Sequence, residues 1–250
     1  KGNSRCAKFL VDANVDIHAQ DNDGNTALIC AAEAGKTNCA QVLIDAKADL
    51  DVKTNQDKTA LIRAVEKGKT ACMKLLIDSN ANLESVDDND NTALIWAAKN
   101  GNTRCAHGLV AAGADLNAKD ANMKTALIWA AMNHKTACAQ VLIRAKANID
   151  AKDDDGASAV IWTAISDDVK CTKLLVDAKA DIDARDDVGK TALIFAASRA
   201  KTECTQMLID AKADLETGDR TGRTALFWAS RHASCECAQL LIDAKANINT

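Results

Sequence analysis

Ten cysteines are the residues of this chain best suited to chemistry, as nucleophiles, metal ligands or disulfide halves. Eight of them, Cys6, Cys39, Cys72, Cys105, Cys138, Cys171, Cys204 and Cys237, stand 33 residues apart. Zinc sites instead need ligand pairs separated by about two to four residues. A constant long step puts one thiol at the same point of successive structural units. Stacked units lie roughly 8–10 Å apart, whereas a disulfide needs Cα atoms within about 7 Å. The ladder therefore cannot pair with itself. Reduced thiols packing as small hydrophobes are expected, which predicts a reducing intracellular compartment, with the cytoplasm the simplest choice. Cys30 and Cys235 stand outside the ladder, and Cys235-x-Cys237 lacks zinc-site spacing.

The other chemistry-bearing residues do not converge. His18, His107, His134 and His232 fall at unrelated points of the 33-residue step. No glycine-rich phosphate loop is present, and no Ser/His/Asp or Cys/His pair has motif support. Asp153-Asp154-Asp155 lacks the EF-hand pattern and suits a turn. The expectation is a non-enzyme with no catalytic, cofactor or metal residues and no small-molecule substrate. A net charge of -4 gives no whole-chain attraction for nucleic acid, and no nucleic-acid motif is present. No apolar run approaches the roughly 18 residues of a membrane-spanning helix, so no membrane insertion is expected.

The elements that carry these residues repeat with the cysteines. The phrase Thr92-Ala93-Leu94-Ile95-Trp96-Ala97-Ala98 returns, with changes, from Thr26, Thr59, Thr125, Ser158, Thr191 and Thr224. A fixed period of this size marks a solenoid. In one unit, Asp87-Asp88-Asn89-Asp90-Asn91 forms a turn, and Thr92 supplies the N-cap of a first helix. Leu94, Ala97 and Ala98 share its apolar face. Asn100-Gly101-Asn102 breaks that helix, and a second runs from about Thr103 to Gly113. The fold class is thus an all-α helix-turn-helix solenoid with short hairpin-like turns. Residues 1–20 hold a partial unit with only the second helix. Seven units follow over 21–250, starting near Asp21, Thr54, Asp87, Asp120, Asp153, Asp186 and Asp219. The chain opens at Lys1 in mid-repeat, which predicts a longer array or a processed chain. The absence of proline and tyrosine fits a helical array built on small side chains.

This pattern resembles the ankyrin repeat. The matching residues are Asp21-x-x-Gly24-x-Thr26-Ala27-Leu28-x-x-Ala31-Ala32-x-x-Gly35, then Val42-Leu43-Ile44 and Ala48-Asp49, and the match recurs along the whole chain. The resemblance implies a cupped array that binds proteins on a concave side made by the turns and first helices. Several positions depart from the family pattern. Thr-Pro-Leu-His becomes Thr-Ala-Leu-Ile, which loses the histidine that ties turn to helix. The glycine before Ala-Asp is replaced by Lys47, Asn80, Lys146, Lys179, Lys212 and Lys245, and survives as Gly113. Each lysine costs about 1–2 kcal/mol if that site is left-handed. The turn glycine is replaced by Asp57, Asp90 and Met123, and the loop glycine by His134, Asp167, Ala200 and Ala233. Asp167-Asp168-Val169 lacks the usual threonine, which predicts local looseness in the fifth unit.

Two features mark candidate contact residues on the implied concave side. The fifth residue of the opening phrase is Trp96, Trp129, Trp162, Phe195 or Trp228 in the last five units, an aromatic ladder at about 10 Å steps. It could grip an extended peptide, with Met132 on the same face as Trp129. The competing role is packing between first helices. The second feature is charge: thirteen basic residues against seven acidic occupy the variable positions of that side. Lys190, Arg199, Arg220, Arg223 and Arg231 concentrate toward the C-terminus. They predict an acidic protein partner, against the alternative of a solvated charged face. The reading is a protein–protein interaction module or scaffold. Its alternatives are a regulatory array of a larger enzyme or channel, or a structural subunit of a large assembly. Apolar ends, such as Leu240-Leu241-Ile242, predict more chain or a partner there.

Overall fold

A computed structural model describes residues 4–248. The chain forms two compact units, Lys1–Ala121 and Asn122–Thr250. The first contains α1 (Ser4–Asp12), α2 (Ala27–Glu33), α3 (Thr37–Asp45), α4 (Ala60–Glu66), α5 (Thr70–Asp78), α6 (Ala93–Asn100) and α7 (Thr103–Ala111). The second contains α8 (Ala126–Met132), α9 (Thr136–Arg144), α10 (Ala159–Ser166) and α11 (Val169–Asp177). It continues with α12 (Ala192–Ser198), α13 (Thr202–Asp210), α14 (Ala225–Arg231) and α15 (Cys235–Asp243). Among the described residues no strand forms, only an isolated bridge between Lys152 and Ser158. The all-α helix-turn-helix class is therefore as the repeat pattern predicts.

Each helix has only 7–9 residues, too few to stand alone in water. Capping and lateral packing make them. Thr26, Thr59, Thr92, Thr125, Thr191 and Thr224 accept the N–H three residues on, at 3.3–3.4 Å. Ser158 keeps the cap backbone, but its buried Oγ makes no hydrogen bond. Behind the cap, Leu94, Ile95, Ala97 and Ala98 are all buried, as are their counterparts in α2, α4, α8 and α12. Alanine brings neighbouring first helices together, so α2, α4 and α6 form one row, while α8, α10, α12 and α14 form another. The second helices α3, α5 and α7, and α9, α11, α13 and α15, make the companion rows.

The cysteine ladder lies between second helices. Cys72, Cys105, Cys138, Cys171, Cys204 and Cys237 are buried thiols outside any disulfide, whereas Cys6 is exposed and Cys39 half-buried. Thr37, Thr70 and Thr172 place Oγ1 3.4–3.7 Å from the Sγ of Cys72, Cys105 and Cys204, and Thr205 donates to Cys237 at 3.5 Å. Burial pushes the thiols of Cys171 and Cys204 up to about 12. They remain protonated at neutral pH and serve as packing groups.

The departures from the family pattern sit where the backbone is left-handed. Lys47, Lys146, Lys179, Lys212 and Lys245 have φ of 67–70°, Asn80 has 66°, and Gly113 has 88°. Asp57, Asp90 and Met123 have φ 58°. In the fifth unit Asp168 takes the place before the second helix. Asp168 is buried and caps α11 by accepting the Cys171 N–H at 3.0 Å. Its other oxygen accepts from Thr136 Oγ1 at 3.4 Å and lies 3.7 Å from His134 Nδ1. This carboxylate cap, which the second helices beginning at Thr37, Thr70, Thr136 and Thr202 lack, ties the loop to its neighbours.

Candidate partner-binding face

The turns are held by the residue that opens each unit. Asp87 Oδ1 accepts the N–H groups of Asn89 and Asn91 at 3.0 and 2.9 Å. Asp153 does the same for Asp155 and Ala157, Asp186 for Val188 and Lys190, and Asp219 for Thr221 and Arg223. Successive turns are stitched by main-chain bonds: Asn55 N to Asp23 O, Asp88 N to Gln56 O, Asp187 N to Asp155 O, and Arg220 N to Val188 O, at 2.9–3.2 Å. Long cations reinforce the stitching. Lys53 Nζ donates to Val86 O, Lys152 Nζ to Arg185 O, and Arg185 to Gly218 O.

The second oxygen of the opening aspartate explains the aromatic row. Trp96 Nε1 donates to Asp87 Oδ2 at 2.8 Å, Trp162 Nε1 to Asp153 Oδ2 at 2.8 Å, and Trp228 Nε1 to Asp219 Oδ2 at 3.0 Å. One carboxylate thus orders the turn with one oxygen and clasps the first helix with the other. The tie that the family makes with histidine is made here from the next residue along. All four tryptophans stand nine residues after an aspartate (Asp87, Asp120, Asp153, Asp219), so the pairing was visible as a spacing. Burial pushes the Asp219 carboxyl up, but the Thr221, Arg223 and Trp228 donors outweigh it and hold it at about 2. Burial is likewise outweighed at Asp87 by Asn91, Trp96 and Asn89, which leave it below its usual value.

Trp96, Trp129, Trp162, Phe195 and Trp228 are all half-buried, so each ring both packs and shows an edge to solvent. Trp96 belongs to the first compact unit. The other four lie on α8, α10, α12 and α14, which contact one another in order. Met132 is half-buried near the end of α8. Cations cover the rings. Lys58 Nζ sits 4.3 Å and Lys99 Nζ 4.9 Å from the Trp96 ring centre. Lys124 lies 5.6 Å from Trp162, and Lys190 lies 4.0 Å from Trp228 and 5.5 Å from Phe195. The recurring donor is the residue before the capping threonine, reaching the aromatic ring of the following unit. Such contacts contribute about 0.5–2 kcal/mol as the site is desolvated.

The remaining sequence candidates separate by environment. Arg199 is exposed with its guanidinium 5.8 Å from Phe195. Arg223 is exposed, 5.4 Å from Phe227 and 5.7 Å from Trp228. Arg220 is exposed in the last turn, and Arg231 is exposed at the end of α14. His232 stacks on Trp228 at 5.6 Å and 15°. The three carboxylates of Asp153–Asp155 approach within 4.8 Å, but Lys124 Nζ already lies 3.5 Å from Asp153 and 3.6 Å from Asp154.

A family model of ankyrin repeats, three copies long, matches residues 1–87, 48–120, 94–186 and 163–250. The chain belongs to the ankyrin repeat family. Among solved structures it is similar to the crystal structure of the ankyrin repeat domain of Bcl-3, described as a unique member of the IkappaB protein family. The TM-score is 0.79 at 25% identity, over 88% of this chain and 100% of that chain. Comparison with curated protein sequences finds no match. Ankyrin repeat domains are general protein–protein interaction modules, and this array is one of them. No helix of the described residues is long and apolar enough to cross a membrane.

Proposed function

We propose that this ankyrin array is a non-enzymatic binding module that takes an extended protein segment along its turn-and-first-helix side, the concave side in the family. The observation that carries this is the row of half-buried aromatic rings. In the second compact unit these are Trp129, Trp162, Phe195 and Trp228, of which Trp162 and Trp228 are held by an aspartate clasp, and each is half-buried with an open edge. A ring already ordered loses little entropy on binding, which is why such residues dominate interface energetics. The buried thiols suit a reducing compartment, with the cytoplasm as the proposed location. Affinity capture followed by mass spectrometry should yield a partner that is lost with Trp129→Ala and Trp162→Ala. Both variants must retain a cooperative urea transition. A partner retained by folded variants would sink the aromatic-row reading.

A second reading concerns the ends. Phe9 is 72% and Leu10 56% exposed on α1, and Ile248 is 71% exposed at the other end. Leu10, Val11, Val15 and Ile17 border an open groove against Ala27, Ala31 and Leu43 of α2 and α3. These apolar surfaces favour coverage by more chain or by a partner, as in a regulatory domain of a larger enzyme or channel or a subunit of a large assembly. Sedimentation measures the choice: a clean monomer at high concentration would count against the assembly reading.

A further inference from the structure

We propose that the surface formed by the last two turns and first helices, residues 186–199 and 219–231, is a docking site for an acidic protein segment. This rests on the binding reading above and assigns the chemistry of one part of that face. The basic side chains of the family's contact side divide into two groups. Several of those earlier in the chain are neutralised or structural. Lys58 pairs with Glu66 at 3.1 Å, Lys67 with Glu33 at 3.5 Å, and Lys124 with Asp153 at 3.5 Å, while Lys53 and Lys152 donate to main-chain carbonyls. Lys190, Arg199, Arg220, Arg223 and Arg231 have no ion pair among the described residues.

The acids nearest in sequence do not cancel this charge. On the two turns and first helices themselves, Asp186 and Asp219 turn their carboxylates inward to their own turns and Asp187 is exposed, while the exposed Asp214 and Glu216 stand on the loop after α13. Three of the five cations are also held in place without being neutralised. Lys190 lies over Trp228, Arg223 against Phe227 and Trp228, and Arg199 against Phe195. Ring contacts order a cation while leaving its charge, so less freedom is lost when a carboxylate arrives. Half-buried Phe195, Phe227 and Trp228 lie among them and offer apolar contact between the charges. The occupant that fits is a short protein segment mixing carboxylates with apolar side chains. A long polyanion such as RNA fits less well, because the surplus positive charge is local and the whole chain carries -4.

The test uses the full chain and a fluorescein-labelled Glu-rich peptide containing leucines, with its Gln-for-Glu counterpart and a single-stranded RNA as competing probes. The Glu peptide should bind, weakening by about tenfold as salt rises to physiological strength, and the Gln peptide should not. Arg220→Glu, Arg223→Glu and Arg231→Glu combined should reduce affinity at least about tenfold, and Arg→Gln at the same sites should give a smaller loss. Lys8→Glu, Lys74→Glu and Lys173→Glu make the same change in net charge at exposed sites on α1, α5 and α11 and should leave binding unchanged. Equal losses from both triple variants, equal binding of Glu and Gln peptides, or RNA binding tighter than the peptide would each overturn the proposal. If no probe peptide binds while a captured partner is still lost with Trp129→Ala and Trp162→Ala, this inference falls and the binding reading stands.

Discussion

At the scale of single residues, the decisive group is the aspartate that opens a unit. Its two oxygens do different work, turn closure and indole clasp, so a change at either partner reaches both. The Asp219 carboxyl is held at about 2 against an unperturbed 3.8. Because the folded value is the lower one, its contribution to stability is fully present above pH 3.8 and disappears as pH falls toward 2. Trp228→Phe removes one donor. Carbon NMR of Asp219 should then show titration at higher pH, and urea unfolding at neutral pH should show a loss of ~1 kcal/mol. An unchanged titration would mean that the turn alone holds the carboxylate. Thiols offer a second residue-scale measurement. Native alkylation should modify Cys6, Cys30 and Cys235 first, because these are exposed. Cys72, Cys105, Cys138, Cys171, Cys204 and Cys237 should react only after denaturant is added. Rapid native labelling of Cys171 would contradict its burial and raised pKa.

At the scale of elements, each helix pair closes through a left-handed residue after its second helix. Five of these sites carry lysine at φ 67–70°, where an L side chain costs about 1–2 kcal/mol. Glycine removes that cost but gains unfolded-state freedom worth roughly 0.5–1 kcal/mol. Lys47→Gly, Lys146→Gly or Lys212→Gly should therefore stabilise the array by about 0.5–1 kcal/mol each, read from urea midpoints, and combinations should add nearly linearly. A destabilised Lys146→Gly would indicate a favourable lysine contact that outweighs the strain. The left-handed sites were legible as glycine positions in the repeat. The Asp168 cap was not, because its worth depends on Thr136 and Cys171 arriving beside it, and no pattern within one loop encodes that encounter.

At the scale of the whole molecule, the balance is between an inside made of small apolar residues and surfaces that differ from end to end. Phe9, Leu10 and Val15 near α1 and Ile242 and Ile248 near α15 are large apolar side chains left exposed, as are Met123 and Val188 in turns. Phe9→Glu with Leu10→Glu should lower self-association at high protein concentration, measured by sedimentation, without shifting the unfolding midpoint much, since both residues lie mostly in solvent. A large loss of stability would show that these residues pack more tightly than their exposure implies.

The 33-residue period, the capped first helix, the buried thiol step and the left-handed turn sites follow from residue type and order alone, because caps, helix faces and backbone handedness are local physics. The aromatic row could be placed by spacing, but its half-buried state could not. That depends on a clasp nine residues away and a cation from the preceding unit. In the sequence every lysine and arginine carries the same charge. The fold separates those bound to carboxylates and carbonyls from the five near the C-terminus that are not, since an ion pair is decided by which side chains tertiary packing brings within reach.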